Sequence, residues 1–312
     1  MRRSVAIALI LGGCFLWACI GISSRALYSA GFSPLQVSFV KSGVTSIGIG
    51  LILLLTDRSK FLVKKKDVWL ILILGLSKFM QDFLIFYGQA HISLSLTAML
   101  QLTSPYYVMV FSAFIFKERI TVGKVICMMI AAVGCVLATG VLAGGENNDT
   151  FGIIAAVVAG LAGGIFMMAS KGTLNRGYSP ETALFYMFFV GAVISIFICD
   201  PVFMVRTSFD DISVLGYALL LGIVFTLIPH FMNLTAMNEM PITHVTVIGL
   251  SEVIFTALVG FAAFHEYLTL SNTVGMVLII ASIVIMETVV AKKESSGSAD
   301  EKPEPPQYKN GA

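Results

Sequence analysis

Charge is scarce in this chain. Acidic and basic residues make up 12% of its 312 positions, about half the share in an ordinary soluble domain. Polar stretches long enough to form an extramembrane domain are also missing, which leaves a receptor or scaffold without a recognition module. No HExxH, GxGD or GxSxG occurs, so an intramembrane enzyme would lack its usual metal helix or nucleophile turn. The five cysteines (Cys14, Cys19, Cys127, Cys135, Cys199) form no CxxC and no metal-ligand spacing. That excludes a disulfide or zinc framework and leaves them to packing; no metal and no cofactor is expected. The formal charge of +2 is small, and the basic residues lie beside apolar runs, so no nucleic-acid partner is implied.

What the chain has in abundance is apolar sequence, 57% of residues with mean hydropathy +0.91. The apolar residues come in runs long enough to cross roughly 30 Å of hydrocarbon. Met1–Arg2–Arg3 followed by Ser4–Ile22 imitates a signal peptide. Its apolar part is too long for one, however, and no A-x-A site follows. It is read as the first span, kept in the mature protein. Further spans fall near 34–56, 68–90, 95–116, 122–142, 151–170, 181–199, 213–237, 242–264 and 270–290. The expected fold is an all-α polytopic membrane protein with ten transmembrane helices.

The chain is one unit written twice. An apolar helix, a charged break at Lys117–Glu118–Arg119 and a second apolar helix recur around Phe264–His265–Glu266–Tyr267–Leu268–Thr269. Glu118 and Glu266 are 148 residues apart, as are Thr121 and Thr269. Upstream, Ser24–Arg25 with Gly31–Phe32–Ser33–Pro34 returns 146 residues later as Ser170–Lys171 with Gly177–Tyr178–Ser179–Pro180. The expected units are residues 1–145 and 146–291, followed by a polar, disordered tail at 292–312. With the N-terminus in the cytoplasm and sides alternating, sixteen lysines and arginines fall inside and two, Arg25 and Arg206, outside. That bias orients the protein in the cell (inner) membrane with both termini cytoplasmic. Five helices per unit is odd, so the second unit enters from the opposite side and the repeats are inverted, an arrangement of secondary transporters.

These residues resemble the drug/metabolite transporter superfamily, in particular its ten-helix EamA-type members. Pro105 and Glu118 match the family's proline near the start of the fourth helix and its glutamate thirteen residues on. Glu252 and Glu266 match the acidic pair of the ninth, with Val253 in place of the family's proline. Pro34 and Lys41 match a proline–arginine spacing in the second, with lysine for arginine. The resemblance implies a carrier whose cavity lies between the halves, lined by the first, third and fourth helix of each. The fifth and tenth helices would act as peripheral supports.

Intramembrane charge is costly and marks candidate sites, at roughly 2.5–3.5 kcal/mol per residue at mid-bilayer. Lys41, Lys78, Asp82 and Glu252 lie well inside spans. Lys78 and Asp82 are one helical turn apart and can pair, either to ease insertion or, with Gln81 beside them, to face the cavity. Lys41 either snorkels to the outer surface or joins the cavity. Glu252 has no opposite charge within a turn and is the foremost candidate for substrate or proton binding. His230, Asn233 and His244 are candidates with packing as the alternative, and Pro229 is placed to bend span eight and aim His230 inward. Gln101, Ser104, Tyr106 and Tyr107 surround Pro105 mid-span, where the tyrosines line a pocket or pack. Trp17 poses the same choice in span one. Glu118 and Glu266, at helix ends, suit capping or a hinge. Gly160 and Gly164 form a GxxxG for close helix approach.

The four buried charges sum to zero, which suits a zwitterion such as an amino acid. A phosphate ester would call for excess base, and a lipophilic cation for an unpaired acid. The expected function is a carrier of a small polar metabolite by alternating access, with export suggested by the resemblance. Cationic drugs, sugars or nucleosides are the alternative cargo, and an enzyme or receptor ranks last. Proton coupling through Glu252 or Asp82 and facilitated diffusion are equally compatible.

Overall fold

A computed structural model describes residues 3–91, 100–101, 103–118, 120–138, 149–264, 270–286 and 288. Its apolar runs are helical, because hydrocarbon offers the backbone no partner and each segment must satisfy its own N–H and C=O groups. In chain order the helices are α1 (Arg3–Ala18), α2 (Ile20–Ser29), α3 (Pro34–Thr56), α4 (Val68–His91), α5 (Ser104–Ile115), α6 (Val122–Ala138) and α7 (Thr150–Asn175). They continue as α8 (Pro180–Ile196), α9 (Pro201–Asp210), α10 (Ile212–Leu219), α11 (Ile228–Met237), α12 (Ile242–Gly249), α13 (Ser251–Phe264) and α14 (Leu270–Ile285). A π-helical stretch, Leu220–Leu227, joins α10 to α11. Among the described residues there is no strand. Six helical segments are long and apolar enough to cross a bilayer, and four shorter apolar helices accompany them. The protein is an all-α, multi-pass membrane protein.

The duplicated turn folds alike in both halves. Gly31 and Gly177 hold φ of 90° and 83°, a left-handed conformation that glycine adopts without a Cβ penalty. They end α2 and α7. Ser33 and Ser179 then cap the following helices by accepting from the backbone N–H of Gln36 and Thr182, and Pro34 and Pro180 open those helices with φ already set. The first and sixth spans therefore run further than the sequence suggests, with Ser24–Arg25 inside α2 and Ser170–Lys171 inside α7. The short helix α9 is a second departure. Its start signal is the pair Asp200–Pro201, where Asp200 accepts from Val202 and Phe203.

The packing is reciprocal. α1 lies against α11 as α4 lies against α7; α5 meets α7 as α1 meets α13; α3 meets the π stretch as α4 meets α8. Contacts made between like elements are α3 with α8, α5 with α12, and α6 with α14. The α6–α14 pair closes tightly at Gly134, where a Cβ would stand 2.9 Å from the Gly275 carbonyl. Ser282 and Ser271 donate across the same interface to the Cys127 and Leu137 carbonyls at 2.8 and 3.3 Å.

Candidate functional site

Three spans are interrupted by tight turns with hydrogen bonds from residue i+3 to residue i, the 3₁₀ pattern. In the first, Cys19 and Ile22 donate to Leu16 and Cys19; near the start of α5, Thr103 and Tyr106 donate to Leu100 and Thr103. In the ninth, Leu250 and Val253 donate to Val247 and Leu250. The absence of proline at Val253 therefore does not leave span nine straight. Its break at Leu250 lies 147 residues after the one at Thr103, so the two are equivalent within the repeat. Pro105 is buried in the first turn of α5. The helix-four break is accommodated by glycine: a Cβ on Gly160 would meet the Thr103 hydroxyl at 2.3 Å, and one on Gly164 would meet Tyr107 Cβ at 2.8 Å.

Near these breaks the charges converge. Asp82 in α4 binds two lysines, one through each oxygen: Lys78 at Oδ1 and Lys41 of α3 at Oδ2, both at 2.9 Å. All three side chains are buried. The expected Lys78–Asp82 pair is thus a triad, and Lys41 turns inward instead of snorkelling outward. Lys78 also stands 5.4 Å from the centroid of the Phe166 ring in α7, a cation–π distance. Glu252 opens α13 just past the Leu250 break, half-buried and within electrostatic reach of Lys78 and Lys41. A carboxylate at a helix N-terminus also meets the positive end of the helix dipole. Gln81 lies against Gly163, and its Oε1 is buried without a hydrogen-bond partner among the described residues. Such an acceptor is costly to leave unpaired.

His230 forms a second, aromatic wall. Its ring is edge-on to Trp17 at 4.9 Å and to Phe188 at 5.0 Å. Nδ1 lies 3.2 Å from Trp17 Nε1 and 2.8 Å from the Thr226 carbonyl. One nitrogen cannot both accept from the indole and donate to the carbonyl, so the two contacts belong to different tautomers. Pro229, in the first turn of α11, has no N–H to give, and the preceding turn widens into the π stretch, where Thr226 Oγ1 donates five residues back to Leu221 at 2.6 Å. Gly13 lets α1 approach there, its notional Cβ 3.3 Å from the Pro229 carbonyl. Asn233 is buried one turn beyond His230.

The remaining candidates make other contacts. Tyr106 donates to the Met128 carbonyl at 3.1 Å and packs on α6. Tyr107 stacks on Phe111, and Gln101 is half-buried at the break. His244 contacts Arg3 at 3.1 Å. Glu118 accepts from the Ile242 N–H at 3.1 Å and the Thr243 hydroxyl at 2.7 Å, which caps α12 from the other half. Lys117 before it has φ 56°, a strained value for a side-chain-bearing residue, and this turn aims Glu118 at α12. Glu266 lies outside the described residues.

Sequence reasoning missed Lys171, whose ammonium donates to the Met237 and Met240 carbonyls at the end of α11. It also missed the Asp67–Arg176 ion pair and the Tyr178 hydroxyl that donates to Asp67 at 2.8 Å. One signal was present: the repeated turn reads Gly-Phe-Ser-Pro first and Gly-Tyr-Ser-Pro second, and the added hydroxyl is the one bonded to Asp67.

Reciprocal helices around a buried ionic centre, with tight turns inside three of the spans, define the class of helical membrane carriers. The chain matches the EamA-like transporter family over residues 4–140 and again over 150–288, and it belongs to that family. It is 24% identical over 270 residues to an uncharacterized transporter of Archaeoglobus fulgidus, covering 85% of this chain and 94% of the relative. A second uncharacterized transporter of the same organism is 27% identical over 191 residues, 61% of this chain and 66% of the relative. In fold it is similar to a solved crystal structure with TM-score 0.76 and 18% identity, over 94% of this chain and 99% of that one.

Proposed function

We propose that this transporter moves a small polar metabolite, best an amino acid or related zwitterion, by alternating access through a centre between its two five-helix halves, residues 1–145 and 146–291. The observation that carries the reading is the Asp82 carboxylate held by Lys41 and Lys78, each at 2.9 Å, inside the membrane-spanning bundle. Burying ions costs several kcal/mol each, and a buried ion cluster contributes little net stability. Its presence suits a ligand better than a scaffold. The triad carries one excess positive charge, and Glu252 supplies one negative charge across from it. A substrate carboxylate competes with Asp82 for the lysines while its ammonium goes to Glu252, with Gln81 Oε1 as a further acceptor. Pro105, Pro229 and the breaks beside them are the hinge positions, and the Glu118 cap holds α12 against the end of α5.

The sixteen-to-two placement of basic residues supports cytoplasmic termini in the cell membrane, and the resemblance supports export. Glu252 and Asp82 are the groups through which a proton would couple. A second reading, a lipophilic cation on Glu252, is favoured by the Trp17, His230 and Phe188 rings beside the centre.

The test is uptake of labelled amino acids into proteoliposomes preloaded with a metabolite panel, with and without a pH gradient. Accelerated exchange with amino acids supports the zwitterion reading, and a dependence on the gradient supports proton coupling. No exchange with any amino acid by folded protein, alongside exchange of a cationic dye, overturns it in favour of the second reading.

A further inference from the structure

At the end of the bundle rich in lysine and arginine, well away from the ionic centre, a cavity of about 490 Å³ is lined by Lys64, Lys66, Asp67, Trp69 and Arg176. Three cations face one acid, and Asp67 is already engaged by Arg176 and Tyr178. Neither Lys64 nor Lys66 makes a salt bridge among the described residues. The backbone that presents them is fastened. Tyr178 accepts from the Lys64 N–H at 3.0 Å, Thr182 donates to the Lys60 carbonyl at 2.9 Å, and Tyr186 donates to the Phe61 carbonyl at 2.7 Å. The Arg176 guanidinium lies 5.0 Å over the Trp69 ring. The cavity is therefore prearranged, carries a net charge of two positive, and is floored by an aromatic residue.

Trp69 decides between a soluble anion and a lipid. It is 52% exposed, and Leu72, Ile73, Leu76 and Met80 continue down α4 at intervals of three and four residues, each exposed. Leu70 and Leu74 on the opposite face are buried. An apolar stripe facing the acyl region and ending in an interfacial tryptophan beside a basic pocket matches a lipid with an anionic headgroup. We infer that this cavity binds the headgroup phosphate of an anionic glycerophospholipid, whose chains lie along the Trp69–Met80 stripe. Because Lys64, Lys66 and Trp69 belong to the first half and Arg176 to the second, one lipid ties the halves together.

The test uses the full-length protein in mixed micelles, with bound phosphatidylglycerol counted by native mass spectrometry and thermal unfolding followed in parallel. Phosphatidylglycerol is expected to bind and raise the melting temperature, while phosphatidylcholine and inorganic phosphate do neither. The double variant Lys64→Gln/Lys66→Gln removes two exposed cations that hold no ion pair among the described residues. It is expected to weaken phosphatidylglycerol binding about thirtyfold, and Lys64→Arg/Lys66→Arg to restore it. Lys65→Gln, outside the cavity, is expected to leave binding within about threefold. Stabilisation by inorganic phosphate alone would assign the pocket to a soluble anion and overturn the proposal. So would unchanged lipid binding in the double glutamine variant, or an equal loss in Lys65→Gln, which would show diffuse surface charge instead of a site.

Discussion

In the first half α3 and α4 bring Lys41 and Asp82 together; in the second, α8 and α11 bring Phe188 and His230 together. The first pair meets as a buried ion pair at 2.9 Å, the second as an edge-on ring contact at 5.0 Å. The surrounding scaffold does not differ in this way. Both copies of the Gly-aromatic-Ser-Pro turn, both breaks at Thr103 and Leu250, and the exchanged helix contacts are kept. The duplicated scaffold is kept while the residues packed at its centre differ. The centre is charged on one wall and aromatic on the other.

The largest expected effect falls on the charged wall. Asp82→Asn removes the carboxylate that Lys41 and Lys78 both bind, which costs about 3–5 kcal/mol. Thermal unfolding should show a strongly lowered midpoint, with transport lost. His230→Phe on the opposite wall keeps the ring contacts with Trp17 and Phe188 and gives up one hydrogen bond, about 1 kcal/mol. A His230→Phe protein as unstable and inactive as Asp82→Asn would break the distinction between the walls. Glu118→Ala removes the cap on α12, and about 1 kcal/mol of stability should go with it; transport by the remaining folded protein should change more than for a surface alanine. The smallest effects sharpen the symmetric part. Gly31→Ala and Gly177→Ala each force a Cβ into a left-handed turn at about 1 kcal/mol, and their melting shifts should agree. A large disparity would mean that the duplicated turns do different work.

The scaffold was legible in the sequence because its signals are local or periodic. Apolar runs set the spans, and Gly31–Pro34 against Gly177–Pro180 set the repeat. The intramembrane charges were legible as candidates because each is costly alone. The Lys78–Asp82 pair was legible from its one-turn spacing; the part of Lys41 was not, since Lys41 is far along the chain from Asp82 and only the packing of α3 on α4 brings them together. The same holds for Lys171 on the Met237 and Met240 carbonyls, where the acceptor is backbone and leaves no residue-type signature. Val253, where the family has proline, left the bend of span nine undecided; the 3₁₀ turn at Leu250 needs no proline, only backbone donors that shift from i+4 to i+3 partners.

The central claim, that substrate is held by the lysine–aspartate triad and Glu252, is tested most directly by counterflow in proteoliposomes. The wild type would be compared with Lys78→Ala and Glu252→Gln at equal amounts of folded protein. Lys78→Ala leaves Asp82 paired with Lys41, and Glu252→Gln keeps shape without charge, so neither should unfold the chain. The account predicts that each slows exchange at least about tenfold, the equivalent of about 1.4 kcal/mol of lost interaction. Full exchange by both variants would contradict it.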